Sequence, residues 1–152
     1  MEFTDAELTK QPVGYWTLAA REVIEGHINR RLGELGIRQP HWWTLYRVGE
    51  TEEGLTQDEL IERMRHTRPY VDAVDTVLPA AQDLLGSGHL TLTDGRRLQL
   101  TEPGREMRGQ LIELLPKVLG EIHEGIDDKD YITTVKVLRR MIRNVGGNAD
   151  FH

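Results

Sequence analysis

Apolar residues recur at helical spacing over most of the chain. The first such stretch begins after Pro12 and ends at Gly33, and a shorter one spans residues 40–48. A third begins at Thr56, which has Glu59 three positions on, the spacing of a capping box that starts a helix. These patterns predict a mainly helical fold, preceded by a polar segment that we expect to be frayed.

Helical periodicity returns over residues 70–85, with Pro79 inside the run. An interior proline costs a helix about 3 kcal/mol, so we expect either a kink at Pro79 or a break with a new helix beginning near Thr76. Two longer helical stretches close the chain, and Asp127 and Asp128 precede the second as capping residues. The second half of the chain is therefore also predicted to be helical, apart from one segment.

That segment, residues 89–101, has strand periodicity, because four leucines alternate with polar residues around the turn Asp94-Gly95. A two-residue loop would place Leu92 opposite Arg97 and divide the leucines between the two faces of the hairpin. A three-residue loop leaves all four leucines on one face. We therefore predict a β-hairpin with the three-residue loop and with these leucine pairs: Leu92 with Leu98, and Leu90 with Leu100.

The order of these elements predicts the fold. Three short helices followed by a two-stranded hairpin form a winged helix-turn-helix, and the long helices on either side carry apolar stripes too wide for so small a centre to cover. We predict a mainly α fold with a small β-hairpin wing, flanked by long dimerisation helices. The predicted divisions are a flexible N-terminus (1–11), an N-terminal dimerisation helix (12–36), a winged helix-turn-helix DNA-binding domain (37–103), C-terminal dimerisation helices (104–147) and a tail (148–152).

Composition narrows the class of protein. The 152 residues include 25 Asp and Glu against 19 Lys and Arg, which gives a net charge of −6, and there is no cysteine. The lack of cysteine excludes disulfides, thiolate zinc sites and cysteine nucleophiles. No apolar run approaches the roughly 18 residues of a spanning helix, and the acidic start lacks a secretory signal. We therefore expect a cytoplasmic protein with no membrane partner.

The residue pattern gives no support to catalytic or metal chemistry. None of the six histidines forms a close ligand pair, and the adjacent carboxylates of Glu52 and Glu53 are typical of a turn. The chain has no nucleophile elbow, phosphate-binding loop or dinucleotide-binding glycine pattern. We predict a protein that is not an enzyme and that uses no cofactor and no metal.

Four segments carry a recognisable combination of motifs. They are DGRRLQLTEPG at 94–104, LTQDEL at 55–60, PHWWTL at 40–45 and the helical stretch 125–141. In order and spacing they resemble the MarR family of transcriptional regulators, matching its wing, the first element of its helix-turn-helix, the preceding helix and its C-terminal dimerisation helix. The family's wing has Asp-x-Arg at the tip and Leu-Thr-x-x-Gly where it returns to a helix. The resemblance covers about residues 12–146.

The resemblance implies a homodimeric transcriptional regulator that binds a pseudo-palindromic site in double-stranded DNA. In the family the wing-tip arginine enters a minor groove while the neighbouring aspartate helps to hold it, which assigns these roles to Arg96 and Asp94. Affinity for DNA also needs cations at the phosphates, and we expect Arg97 and a basic cluster before residue 70 to supply them. The candidate DNA-binding residues are Arg63, Arg65, Thr67, Arg68, Tyr70, Asp94, Arg96 and Arg97.

MarR-type regulators commonly bind small aromatic or amphipathic molecules between the dimerisation helices and the winged domain. The resemblance therefore implies a small-molecule effector, with Trp16 and His27 on one wall of its pocket and Trp42 and Trp43 on the other. Tryptophan and histidine on apolar stripes more often belong to the core, so core packing is the alternative for all four.

A second function fits the charge distribution. Between Leu55 and Arg105 there are six arginines against eight acidic residues, and the helical run 70–85 has neither lysine nor arginine. Recognition helices that enter DNA usually carry polar or basic residues. The alternative prediction is a winged-helix dimer that has lost DNA binding and acts through a protein partner.

Overall fold

The computed structural model describes residues 2–151, which form two compact units, one ending at Arg38 and one beginning at Gln39. Helices dominate both, and the second unit also contains a small antiparallel sheet. The elements are α1 (Asp5–Leu8), α2 (Val13–Gly33), α3 (Gln39–Val48), β1 (Leu55–Thr56), α4 (Gln57–Thr67), α5 (Ala73–Gly86), β2 (Leu90–Thr93), β3 (Arg97–Leu100), α6 (Glu102–Ile122) and α7 (Asp128–Asn144).

The first unit contains α1 and α2. The Thr4 hydroxyl accepts from the Glu7 backbone N–H at 3.3 Å and the Glu7 carboxylate accepts from the Thr4 N–H at 2.8 Å, which closes a capping box around α1. The segment that we expected to be frayed therefore contains a helical turn. Helix α2 begins after Pro12 and ends at Gly33, as predicted.

Helices α3, α4 and α5 pack against one another and form the helix-turn-helix. Helix α4 begins at the predicted capping box, in which Thr56 Oγ accepts from the Glu59 N–H at 3.2 Å and the Glu59 carboxylate accepts from the Thr56 N–H at 2.9 Å. The three helices meet in a core of fully buried side chains, including Leu45, Val48, Leu60, Met64, Val77, Ala81 and Leu84.

Helix α5 continues through Pro79, so the predicted break near Thr76 is wrong. The helix begins three residues earlier, because the Asp72 side chain accepts from the Asp75 N–H at 2.9 Å and caps it. Pro79 and Asp75 both face solvent. Water can therefore solvate the Asp75 carbonyl that loses its partner to the proline, while the opposite face stays buried.

The sheet confirms the predicted hairpin register. Strands β2 and β3 pair Leu90 with Leu100 and Leu92 with Leu98, and the three residues 94–96 form the loop. Asp94 and Gly95 have φ of +51° and +68°, as the tight turn requires. Strand β1 pairs with the other edge of β3 and was not predicted, since two residues are too few to show a period.

The return from the wing into α6 depends on one glycine. A Cβ on Gly104 would lie 1.9 Å from the carbonyl oxygen of His89, so only glycine fits this position. The Thr101 hydroxyl caps α6 by accepting from the Gly104 N–H at 3.1 Å. These two contacts explain why the Leu-Thr-x-x-Gly motif has threonine and glycine at these positions in this chain.

Helix α7 is strongly amphipathic but buries none of its residues. Asp127 occupies its N-cap position, as predicted, although its side chain makes no capping hydrogen bond. The apolar stripe lies partly or fully open to solvent along the helix, at Tyr131, Ile132, Val135, Leu138, Ile142 and Val145.

Candidate nucleic-acid interface

The tip of the wing presents Arg96 to solvent. The Arg96 N–H donates to the Thr93 carbonyl at 3.1 Å, which closes the turn, and the residue then stands outside the ladder as the third residue of the loop. Within residues 2–151, no ion pair involves its guanidinium. Arg96 also borders a cleft of about 420 Å³ between the wing and the first turn of α4, lined by Thr56, Gln57 and Asp58.

Arg97, its neighbour, points the other way and holds the fold together. Its Nε donates to the Glu53 carbonyl at 3.1 Å, and its Nη2 donates to the Gly54 carbonyl at 3.0 Å and to the Glu59 carboxylate at 3.2 Å. The Thr56 N–H, and to a lesser degree the charge of Arg97, lower the pKa of Glu59 from its ordinary value. The two adjacent wing arginines therefore have different environments.

The predicted basic cluster on α4 has carboxylate partners. The Arg63 Nη1 lies 3.2 Å from the Glu50 Oε2, and the Arg65 Nη1 lies 4.0 Å from the Glu62 Oε2. Thr67, at the end of the helix, donates its hydroxyl to the Arg63 carbonyl at 3.0 Å. These exposed pairs weaken the positive potential of the cluster without burying the guanidinium groups.

Tyr70 lies in the connection between α4 and α5 and contacts the end of the chain. Its hydroxyl donates to the Asn148 carbonyl at 2.9 Å, and its ring meets the Phe151 ring edge-on with centroids 5.9 Å apart. Tyr70 was predicted to contact DNA, and its sequence context gave no sign of a partner 78 positions away.

The outward face of α5 carries no cation. Its exposed residues are acidic, apolar or neutral, and they comprise Val74, Asp75, Pro79, Gln82 and Asp83. Asp83 lies 3.0 Å from His41 Nε2 on α3. In helix-turn-helix proteins that bind DNA, the corresponding face of the second helix approaches the major groove.

An aromatic cavity of about 170 Å³ lies between α3 and the end of α4. Trp42 and Tyr46 have ring centroids 5.1 Å apart, and the Arg68 guanidinium lies 4.5 Å from the centre of the Trp43 ring. Burial, followed by the charge of Arg47, lowers the pKa of Arg68 from its ordinary value. The cavity is lined by Trp42, Trp43, Tyr46, Arg47, Met64 and Arg68. Of these, only Trp42 and Trp43 were predicted to bind a ligand, and Arg68 was predicted to bind DNA.

The other two candidate ligand residues lie on α2, in the first unit. Trp16 is 48% exposed and its Nε1 donates to the Gln11 side chain at 3.0 Å. His27 is half-buried, one residue before the buried Ile28. The core alternative therefore does not describe Trp16, since about half of its surface faces solvent.

Residues 2–151 contain neither a cluster of metal ligands nor a membrane-spanning helix. No group of three or more histidine, aspartate or glutamate side chains there could hold a metal ion. None of the helices in that range has the length and apolarity needed to cross a membrane.

Comparison with known proteins gives the fold. No family model matches the sequence. A MarR-family regulator from Silicibacter pomeroyi superimposes with a TM-score of 0.71 at 18% identity, covering 94% of this chain and 99% of that one. CouR from Rhodococcus jostii RHA1, bound to p-coumaroyl-CoA, has a TM-score of 0.67 at 20% identity, covering 86% and 91%. BpsR from Bordetella bronchiseptica has a TM-score of 0.70 at 14% identity, covering 92% of this chain and 98% of that one.

The chain has the MarR-like winged-helix fold. Most of the matched structures are MarR-family transcriptional regulators, in agreement with the resemblance seen in the motifs. In this MarR-like fold the wing is the hairpin of β2 and β3, the second helix of the helix-turn-helix is α5, and the helix before the helix-turn-helix is α3. The fold prediction is thus confirmed.

Proposed function

We propose that the protein is a MarR-like transcriptional regulator that binds a pseudo-palindromic duplex site as a homodimer. The observation that carries this proposal is Arg96, an exposed guanidinium with no ion pair in residues 2–151, at the tip of the hairpin of β2 and β3. A cation in this position suits the narrow, electronegative minor groove beside the site of a recognition helix. Asp94 is two residues away in the same loop and makes no ion pair with Arg96 in residues 2–151, so its proposed role is to hold the guanidinium once it lies in the groove.

The remaining DNA contacts divide between positioning and base readout. Arg63 and Arg65 exchange their carboxylate partners for backbone phosphates, which costs little because exposed ion pairs are weak. Arg68, whose guanidinium lies over the Trp43 ring, adds a third positive charge beside them. Thr67, at the end of α4, contributes a hydroxyl to the same DNA backbone. Gln82 is the exposed side chain of α5 with both a donor and an acceptor for a base edge.

Homodimer formation is supported by the apolar stripe of α7. A helix that is amphipathic and buries none of its residues leaves its apolar side to water. Such a stripe is stable in solution when a second copy covers it, since a two-fold interface uses the same patch on both chains. Two-fold symmetry also matches the inverted repeat of a pseudo-palindromic DNA site.

A small aromatic anion is the effector class that the cavity beside Trp43 fits. Arg47 and Arg68 supply positive charge, and Trp42, Trp43 and Tyr46 supply ring faces. CouR is bound to p-coumaroyl-CoA and DNA binding by BpsR is regulated by 6-hydroxynicotinic acid, both of which contain an aromatic ring. Titrating p-coumarate or 6-hydroxynicotinate should quench tryptophan fluorescence in the wild type, and less in Arg68→Gln.

The experiment that tests DNA binding is selection of sheared genomic fragments by the purified protein at about 0.15 M salt, followed by sequencing. Recovery of an inverted-repeat motif supports the proposal and supplies the binding site. Recovery of no motif, with and without the aromatic acids, from a folded dimer contradicts it.

The second candidate function is a winged-helix dimer that binds a protein partner. The outward face of α5 favours it, since two aspartates and two apolar residues are better suited to a basic or apolar protein surface than to DNA. In that case no duplex is selected, and Arg96→Ala has no effect on the partner's affinity while Asp75→Asn weakens it.

A further inference from the structure

The second half of α7 carries four cationic side chains in a row along one side of the helix. Arg139 and Arg140 each lie three or four positions from both Lys136 and Arg143, so the four side chains share one side of the helix. The row extends about 10 Å, which is enough to contact neighbouring phosphates of one DNA strand. It adjoins the apolar stripe assigned to dimerisation, since Arg139 follows Val135 by four positions.

The segment after α7 folds back over this row. The Arg139 Nε donates to the Ala149 carbonyl at 3.1 Å, and its Nη2 donates to the Asp150 carboxylate at 3.3 Å. Arg143 also donates to the Asp150 carboxylate. Ala149 is 2% exposed, so the segment is packed against the protein rather than merely adjacent to it.

Tyr70 shows which side of the molecule this segment occupies. It lies two residues before Asp72, the N-cap of α5, and its hydroxyl and ring contact Asn148 and Phe151. The N-terminal part of a recognition helix is the part that approaches base edges. The end of α7 and the segment after it therefore lie beside the region of α5 that would approach DNA.

We propose that Arg139, Arg140 and Arg143 form a second phosphate-binding surface, which the Asp150 carboxylate occupies until the phosphates of duplex DNA replace it. This inference rests on the proposed DNA-binding function and deepens it. It also accounts for the lack of any cation on α5, since the anchoring charge comes from α7.

The chemistry of Asp150 suits a displaceable competitor. Its side chain is 74% exposed, so a phosphate can approach the same guanidinium groups from solvent. Hydrogen bonding and charge from Arg143, with a smaller contribution from Arg139, lower the pKa of Asp150 from its ordinary value. The carboxylate is therefore ionised at neutral pH and imitates one phosphate oxygen pair.

The test is a titration of the full chain with a fluorescent duplex of about 30 base pairs and random sequence, at several salt concentrations. Asp150→Asn should tighten binding roughly two- to fivefold, the range that exposed ion pairs span. Glu124→Gln, which makes the same charge change in the connection between α6 and α7, should tighten it less. Combining Asp150→Asn with Arg139→Gln and Arg143→Gln should abolish the gain.

The salt dependence gives an independent readout. Arg139→Gln with Arg143→Gln should reduce the slope of log affinity against log salt by about two per protomer, while the melting temperature stays close to that of the wild type. Two results overturn the inference. One is that Asp150→Asn and Glu124→Gln raise the affinity for the duplex equally. The other is that the gain in affinity from Asp150→Asn persists when Arg139 and Arg143 are replaced.

Failure of this inference is distinguishable from failure of the proposed function. When Arg96→Ala weakens binding but Asp150→Asn changes nothing, the regulator stands and the second surface does not. When the wild type binds no duplex at any salt concentration, both are wrong.

Discussion

The guanidinium of Arg97 lies 3.2 Å from the carboxylate of Glu59, so the returning strand of the wing is tied to the first turn of α4. Arg97 also donates to two carbonyls of the loop before β1, and its side chain is 27% exposed. Glu59 in turn completes the capping box of α4. One side chain thus connects the wing, the short strand and the helix-turn-helix.

Replacing Arg97 should therefore affect stability first. Arg97→Ala removes one donor from each of the Glu53 and Gly54 carbonyls and the Glu59 carboxylate, and we expect the free energy of unfolding to fall by about 1–2 kcal/mol. Arg96→Ala, which changes the adjacent exposed residue, is the matched control and should leave that free energy unchanged. Equal losses in urea unfolding of the two variants would contradict the different environments described above.

Glu59 should make part of the stability dependent on pH. Because folding lowers its pKa, its contribution is present at neutral pH and is lost as the pH falls through the pKa of the folded state. Glu59→Gln keeps an acceptor for the Thr56 N–H but not the charge opposite Arg97. Urea unfolding should find the wild type more stable than this variant at neutral pH, with the difference closing in acid. A difference in stability between the two proteins that stays constant with pH would contradict this role of Glu59.

Gly104 should tolerate no side chain. Gly104→Ala forces a methyl group against the His89 carbonyl at the base of the wing, and we expect a loss of about 3 kcal/mol. Gly109→Ala is the control in the same helix, where a Cβ meets nothing within 4 Å. That change should stabilise α6 by about 0.5–1 kcal/mol. Thermal unfolding of the two variants measures both, and shifts in the same direction would rule out the steric explanation.

The apolar stripe of α7 should govern oligomeric state. Val135→Glu places a charge in the middle of the stripe and should produce monomers in sedimentation velocity, because a buried, unpaired carboxylate opposes association. Thr133→Glu adds the same charge on nearly the opposite side of the helix and should leave the dimer intact. A dimer that survives Val135→Glu would direct attention to another interface.

The sequence predicted most of the fold because its signals were local. The hairpin register followed from four alternating leucines, and the start of α4 followed from Thr56 and Glu59. Strand β1 was missed, since its two residues gain their conformation from pairing with β3 rather than from their own pattern. The break near Thr76 was predicted from the cost of Pro79, which the buried face of α5 offsets.

The candidate site was predictable only in outline. The motif and the hairpin register placed Arg96 at the wing tip, but nothing in the sequence indicated that Arg97 would bond to Glu59. The partner of Tyr70 is distant in the chain, and the ion pair of Arg143 with Asp150 lies in a segment that we expected to be only a tail. Such contacts depend on tertiary structure, which single-residue patterns do not encode.

The central claim is that this MarR-like fold reads duplex DNA with Arg96. The most direct measurement compares the wild type with Arg96→Ala on the selected inverted repeat and on a shuffled duplex, by fluorescence anisotropy at about 0.15 M salt. We predict that the wild type prefers the repeat, and that Arg96→Ala lowers affinity for it by about tenfold or more while the dimer and its melting temperature are unchanged. Equal affinity of the wild type for both duplexes, or an unaltered affinity of Arg96→Ala, would contradict the claim.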